Sequence, residues 1–101
     1  MCVVDTAGRI VHSYGGPPGS SAGQLHAPQG LAVDSRGFVF VADFLNNRVQ
    51  ALSPTLTRLG DVTTPGHELK LPFALHLDKI NGRLYVGYGP SGVLVISVKQ
   101  V

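Results

Sequence analysis

Two stretches of this chain repeat each other. The segment "PQGLAVD" (28–34) matches "PFALHLD" (72–78), 44 residues on. Next, "GFVFVAD" (37–43) matches "GRLYVGY" (82–88), 45 residues on, and "RVQAL" (48–52) matches "VLVIS" (93–97) at the same spacing. The extra residue falls in the intervening turn, Ser35-Arg36 against Lys79-Ile80-Asn81. Within each stretch the apolar residues alternate with a period of two, the signature of strands, and no stretch carries a helical period. A unit of about 40–45 residues made of four short strands is the sequence mark of a β-propeller blade.

The reading is therefore all-β: antiparallel four-stranded blades, in an incomplete propeller of about two blades. In the complete blade (28–60), strand A is predicted over 31–34, strand B over 38–43, strand C over 48–52 and strand D over about 56–60. Upstream, 1–14 reads as the outer C and D strands of a preceding blade, "CVVD" and "RIVHSY", joined by Thr6-Ala7-Gly8. Downstream, 72–101 reads as strands A, B and C of a degenerate blade. "FVFVAD", "RLYVGY" and "VLVISV" are apolar at both alternating sets, which predicts burial on both faces. Thirteen Gly and seven Pro supply the turns. The repeat alignment sets Asp43 on Tyr88, Asn47 on Gly92 and Arg48 on Val93.

Several function classes fall away. A net charge of +2 lacks the dense basic stripe of a dedicated nucleic-acid binder. No apolar run is long enough to span a membrane, and "MCVVDTAG" lacks the charged region and apolar core of a signal peptide. The single cysteine, Cys2, excludes an internal disulfide and fits a reducing, cytoplasmic setting. "GYGPSG" (87–92) fits G-x-G-x-x-G, but it falls on the B–C turn and a strand follows. A dinucleotide loop must open a helix, so no nucleotide and no cofactor are expected there. His76 and Asp78 point to one side of a channel-lining strand, but two residues do not make a metal or acid–base site. No Ser lies in a nucleophile elbow. No catalytic residues are assigned, and the chain is read as a non-enzyme.

The stretch "HAPQGLAVDSRGFVFVADFLNNRVQAL" resembles an NHL repeat. The resemblance rests on Pro28, Gly30, Leu31, Ala32, Val33 and Asp34; on Gly37, Val39, Phe40, Val41, Ala42 and Asp43; and on Asn46, Asn47, Arg48, Val49 and Gln50. It implies the C-terminal part of a longer propeller protein, as in TRIM-NHL-type proteins, with protein partners or single-stranded RNA as clients. A lyase- or lactonase-type propeller enzyme is a further alternative. Asp34, Asp43, Asn47 and Arg48 read as structural staples. Asp43 is expected to accept hydrogen bonds from the amides of the turn after it and to pair with Arg48, and Asp34 to cap the A–B turn.

Up-and-down strands sort the loops onto two ends. The D–A and B–C loops share the end with the longer, more varied loops, where binding concentrates. The candidate partner-binding residues there are His26, Phe44, Leu45, Asn46, His67 and Lys70, with Glu68 beside them. Arg36 and Lys79 fall on the opposite end. Cations on the candidate end are few and offset by Asp61 and Glu68, which ranks a protein partner above RNA. Two blades also leave apolar flanks, to be covered by further blades of a parent chain or by self-association, three copies closing a six-bladed ring.

Overall fold

The structure, a computed structural model, describes residues 1–4, 7, 9–62 and 69–98. Its strands are β1 (Cys2–Val4), β2 (Ile10–Ser13), β3 (Pro28–Val33), β4 (Val39–Asp43), β5 (Arg48–Leu52), β6 (Arg58–Asp61), β7 (Pro72–Asp78), β8 (Arg83–Tyr88) and β9 (Gly92–Ser97). They form three antiparallel sheets: β1-β2, β3-β4-β5-β6 and β7-β8-β9. The second is a complete four-stranded propeller blade. The third has the same A, B and C strands, so the fold is all-β, an incomplete propeller. Thr6 and Gly8 of the first predicted turn lie outside the described residues.

The repeat is visible down to its irregularities. β3 and β4 pair with Pro28 opposite Asp43, then slip by a residue before Gly30 meets Ala42. β7 and β8 pair with Pro72 opposite Tyr88 and slip at the same point, before Ala74 meets Gly87. A bulge repeated at one place is a built feature. Each A–B turn closes on a carboxylate and a left-handed glycine. Asp34 accepts from Arg36 N at 2.8 Å and Phe38 N at 2.9 Å, with Gly37 at φ +90°. Asp78 accepts from Ile80 N at 3.1 Å and Asn81 N at 3.2 Å, with Gly82 at φ +65°.

The two larger sheets pack face to face. Ala32, Phe40 and Val49 of the complete blade bury against Leu84 and Val86 of the next, with Leu75, Leu77, Leu94 and Ile96 around them. Full burial of Phe40, Val49, Leu84 and Val86 contributes about 1.5–3 kcal/mol each. The inner strands approach closely: a Cβ on Gly30 would lie 3.3 Å from the Ala74 Cα and the Leu75 nitrogen, so the residue there must be small. On the other face of the blade, Val39, Val41 and Leu52 bury with Leu25, Leu56 and Tyr14. β4 is buried along its whole length, because both faces of this central strand are covered.

Five sequence expectations shift. β3 starts at Pro28, three residues early, because the bulge lets the proline join the ladder. β6 starts at Arg58, because Ser53 to Thr57 are taken up by the C–D turn, where Thr57 N donates to Ser53 Oγ at 3.0 Å. β9 is not buried on both faces: Leu94 and Ile96 are half-buried, while Val93 and Val95 are 67% and 51% exposed. Fourth, β8 buries Leu84 and Val86 but leaves Tyr85 only partly covered, since nothing described packs on that side. Last, Gly92 rather than Val93 stands opposite Tyr88, as Arg48 stands opposite Asp43. The second B–C turn is a residue shorter, which restores the 44-residue spacing in the C strand.

Candidate interaction surface

One end of the molecule is organised around the buried carboxylate of Asp43, the last residue of β4. Its Oδ1 accepts from the His26 backbone N–H at 2.7 Å. Its Oδ2 accepts from Arg48 Nε at 2.7 Å, Asn46 Nδ2 at 2.9 Å and Gln50 Nε2 at 3.1 Å. Burial pushes this carboxyl group up, but the bonds from His26, Asn46, Arg48 and Gln50 outweigh it, and its pKa lies below the ordinary carboxylate value. The backbone amide that reaches Asp43 belongs to the preceding loop and not to the following turn, as the sequence reading had it. The cause is the short 3₁₀ turn Phe44–Asn46, which carries the chain away from the carboxylate.

Arg48 and Gln50 extend the cluster. Arg48 Nη2 donates to the carbonyls of Gln24 at 2.7 Å and Ser21 at 2.9 Å. Gln50, fully buried, donates to the Gln24 carbonyl at 2.8 Å, and its Oε1 lies 2.6 Å from the Tyr14 hydroxyl and 3.2 Å from Arg58 Nε. Burial raises the Tyr14 hydroxyl pKa, against the opposing pull of Arg58 and Arg48. The long loop between β2 and β3 is thus stitched to the blade by polar side chains with their capacity met, the condition under which a buried network adds rigidity. Gln50 and Tyr14 were not singled out from the sequence as site residues. The signal was there: a glutamine flanked by Val49 and Ala51 in the middle of a strand must find partners.

The candidate residues are placed as follows. His26 is exposed, and its backbone carbonyl accepts from Leu45 N at 3.2 Å, so the D–A loop and the B–C turn lie side by side. Leu45 is 48% exposed and Phe44 partly so. Asn46 has its amide nitrogen committed to Asp43 and, at 2.8 Å, to the Gly19 carbonyl. Asn47, left-handed at φ +53°, accepts from Leu71 N at 2.9 Å, which brings exposed Lys70 to the same end. His67 and Glu68 lie outside the described residues. At the opposite end Gly37 meets Pro54, the A–B turn against the C–D turn. Arg36 lies over the Phe38 ring there, 4.7 Å from its centroid.

In the degenerate blade the Asp–Arg pair is replaced by Tyr88 and Gly92, and the Tyr88 ring fills the space a Cβ on Gly92 would need. "GYGPSG" forms the turn between β8 and β9, with a strand and not a helix after it. His76 is exposed beside Tyr85, ring centroids 6.1 Å apart. Asp78 is held below its usual pKa, first by the Asn81 side chain and then by the Asn81 and Ile80 amides. Among the described residues no group of three or more His, Cys, Asp or Glu side chains is arranged to hold a metal ion. No helix among them is long and apolar enough to cross a membrane.

Comparison with known proteins agrees with this geometry. Residues 25–52 match the family model of the NHL repeat, and the matched segment carries His26, Asp43, Asn46, Arg48 and Gln50 of the cluster. Over 39 residues the chain is 46% identical to the E3 ubiquitin-protein ligase TRIM71 of Mus musculus, and equally to those of Gallus gallus and Bos taurus. The matched stretch covers 39% of this chain and 5% of the mouse protein, 4% of the other two.

Proposed function

We propose that this chain is a propeller segment that recognises a protein partner through the end carrying His26, Phe44, Leu45 and Lys70, and that it binds rather than catalyses. The observation behind this reading is the support under Leu45. An aliphatic side chain, 48% exposed, sits on a one-turn element whose flanks are fixed by His26, Asp43 and Asn47. An apolar anchor held in one conformation loses little entropy on binding, which favours it as a contact. The relatives are named as ubiquitin-protein ligases. In that setting a segment like this one would choose the client, and the ligase chemistry would reside elsewhere.

Single-stranded RNA is the lesser reading. RNA platforms need free cations and stacking faces. Arg48, the second cation of this end, is occupied by Asp43 and by the Ser21 and Gln24 carbonyls. That leaves Lys70 as the exposed cation contributed there by the described residues. Pull-downs from cell extract with the wild-type chain, Phe44→Ala/Lys70→Glu and Arg36→Glu/Lys79→Glu test the reading. Loss of a protein client in the first variant alone supports it. Loss in the second alone moves the site to the other end. Retention of only RNA-dependent clients replaces it with the RNA reading.

A further inference from the structure

The turn between β7 and β8 holds a dipeptide with a chemistry of its own. Asparagine occurs at 46, 47 and 81, and of these Asn81 alone precedes a glycine. An Asn-Gly pair can close on itself, because no Cβ on the glycine hinders its backbone nitrogen from reaching the asparagine side chain. The structure leaves that route open. Asn81 is exposed at the tip of the turn, next to Ile80, which is 94% exposed. Among the described residues the Gly82 N–H donates no hydrogen bond. The matching glycine of the first blade differs: Gly37 N donates to the Asp34 carbonyl at 3.1 Å, and an arginine precedes it. The other asparagines are tied down. Asn46 Nδ2 is shared by Asp43 and the Gly19 carbonyl, and the Asn47 nitrogen beside it donates to the Phe44 carbonyl at 3.3 Å. Asn47 precedes Arg48, which the ladder holds in place opposite Asp43.

We propose that Asn81 is a site of spontaneous covalent modification, deamidating through attack by the Gly82 nitrogen to give aspartate and isoaspartate. Solvent base takes the Gly82 amide proton, and the nitrogen bonds to Asn81 Cγ. The Cγ–Nδ2 bond breaks, and Nδ2 leaves as ammonia after gaining a proton from solvent. Water then opens the cyclic imide. Addition at Cγ restores the main chain and leaves an aspartate. Addition at the main-chain carbonyl carbon leaves isoaspartate, with the backbone running through Cβ and Cγ. The sum is asparagine plus water giving a carboxylic acid plus ammonia, and nothing is oxidised or reduced. The product does not fit the turn. Asn81 Nδ2 donates to Asp78 Oδ2 at 2.8 Å, and a carboxylate there would instead repel Asp78. The longer isoaspartyl backbone would also pull the Asn81 N–H from Asp78 Oδ1, now 3.2 Å away, and the Gly82 carbonyl from Val98 N, now 2.7 Å away. The site lies at the end opposite His26 and Leu45, so it stands apart from the proposed recognition surface.

The test ages the 101-residue chain in warm, mildly alkaline buffer, folded and in urea, with Asn81→Gln alongside. Peptide mapping by mass spectrometry locates each amide lost. Methylation by a protein isoaspartyl methyltransferase reports isoaspartate, and circular dichroism confirms that the variant folds. The folded wild type is expected to convert first at Asn81, faster as pH rises, with isoaspartate among the products. Asn81→Gln should lose the isoaspartyl label, because its longer side chain closes a ring less readily. Were that variant unfolded, the map of the wild type would still decide the site. Hydrogen exchange gives a second reading: the Ile80 and Asn81 amides, both bonded to Asp78, should exchange faster in the converted chain. Four results would overturn the proposal: conversion at Asn46 or Asn47 ahead of Asn81, conversion in urea but not in the folded chain, a rate indifferent to pH, and an isoaspartyl label persisting in Asn81→Gln. Unchanged exchange at Ile80 and Asn81 after conversion would overturn the loosening of the turn.

Discussion

Asn47 and Leu71 join one blade to the next: the side-chain carbonyl of Asn47, at the end of the first B–C turn, accepts from the Leu71 amide at 2.9 Å. Leu71 in turn accepts from Gly89 N at 3.2 Å, so the two B–C turns are linked through one residue. Asn47 holds φ at +53°, a conformation asparagine tolerates and most residues do not. Asn47→Ala loses both the bond and the tolerance, and should cost about 1–3 kcal/mol. Asn47→Gly keeps the backbone and loses only the bond, so it should cost less. Urea denaturation of the two variants separates the effects.

Asp43→Ala should destabilise by about 1–3 kcal/mol, because it strands the buried Gln50 amide and the His26 N–H. A melting temperature equal to wild type would show that the cluster contributes nothing net.

Acid should act through the same residue. The Asp43 carboxyl has a folded pKa depressed below the ordinary carboxylate value. A depressed carboxylate stabilises fully above its unfolded pKa, and that stability is lost as pH falls through the folded value. The melting temperature should therefore drop below about pH 4. Asp43→Asn should flatten that part of the profile while lowering the plateau. Asp78 is also depressed but lies exposed, and its removal should change the profile little.

Leu52 is completely buried in the hydrophobic cluster that joins the first blade to its loop. Leu52→Ala should cost about 2–5 kcal/mol, the range for a large-to-small change in a packed site. Gly92→Ala should also destabilise, because the Tyr88 ring must leave its place. The double variant Gly92→Ala/Tyr88→Ala should recover part of that loss, as chemical denaturation would show.

The strands were legible because period-two alternation and glycine-marked turns act locally. The repeat then supplied the sheet order, since like segments must fold alike. The Asp43–Arg48 pairing was also legible, five residues apart on opposite sides of one turn. What escaped the sequence depends on long-range approach. His26 N reaches Asp43 across 17 residues and Tyr14 reaches Gln50 across 36, and no local pattern encodes either. The exposure of Val93 and Val95 escaped for a different reason. Their sequence carries propensity for burial, but burial requires a neighbour that the described residues do not supply.

The exchange of an ion pair for a tyrosine over a glycine has a consequence for how the molecule comes apart. The first blade is cross-linked to its loop by directional bonds from four side chains, while among the described residues the second is held to the first by contact on one face and the Asn47–Leu71 bond. Stability in such a chain is graded, and its weakest unit opens first. Under a slowly rising load or mild heat, β7-β8-β9 should peel away as a unit while β3-β4-β5-β6 stays intact. The chain would then pass through a half-open form in which the Leu84–Val86 side of the core meets water before the Asp43 end has changed at all.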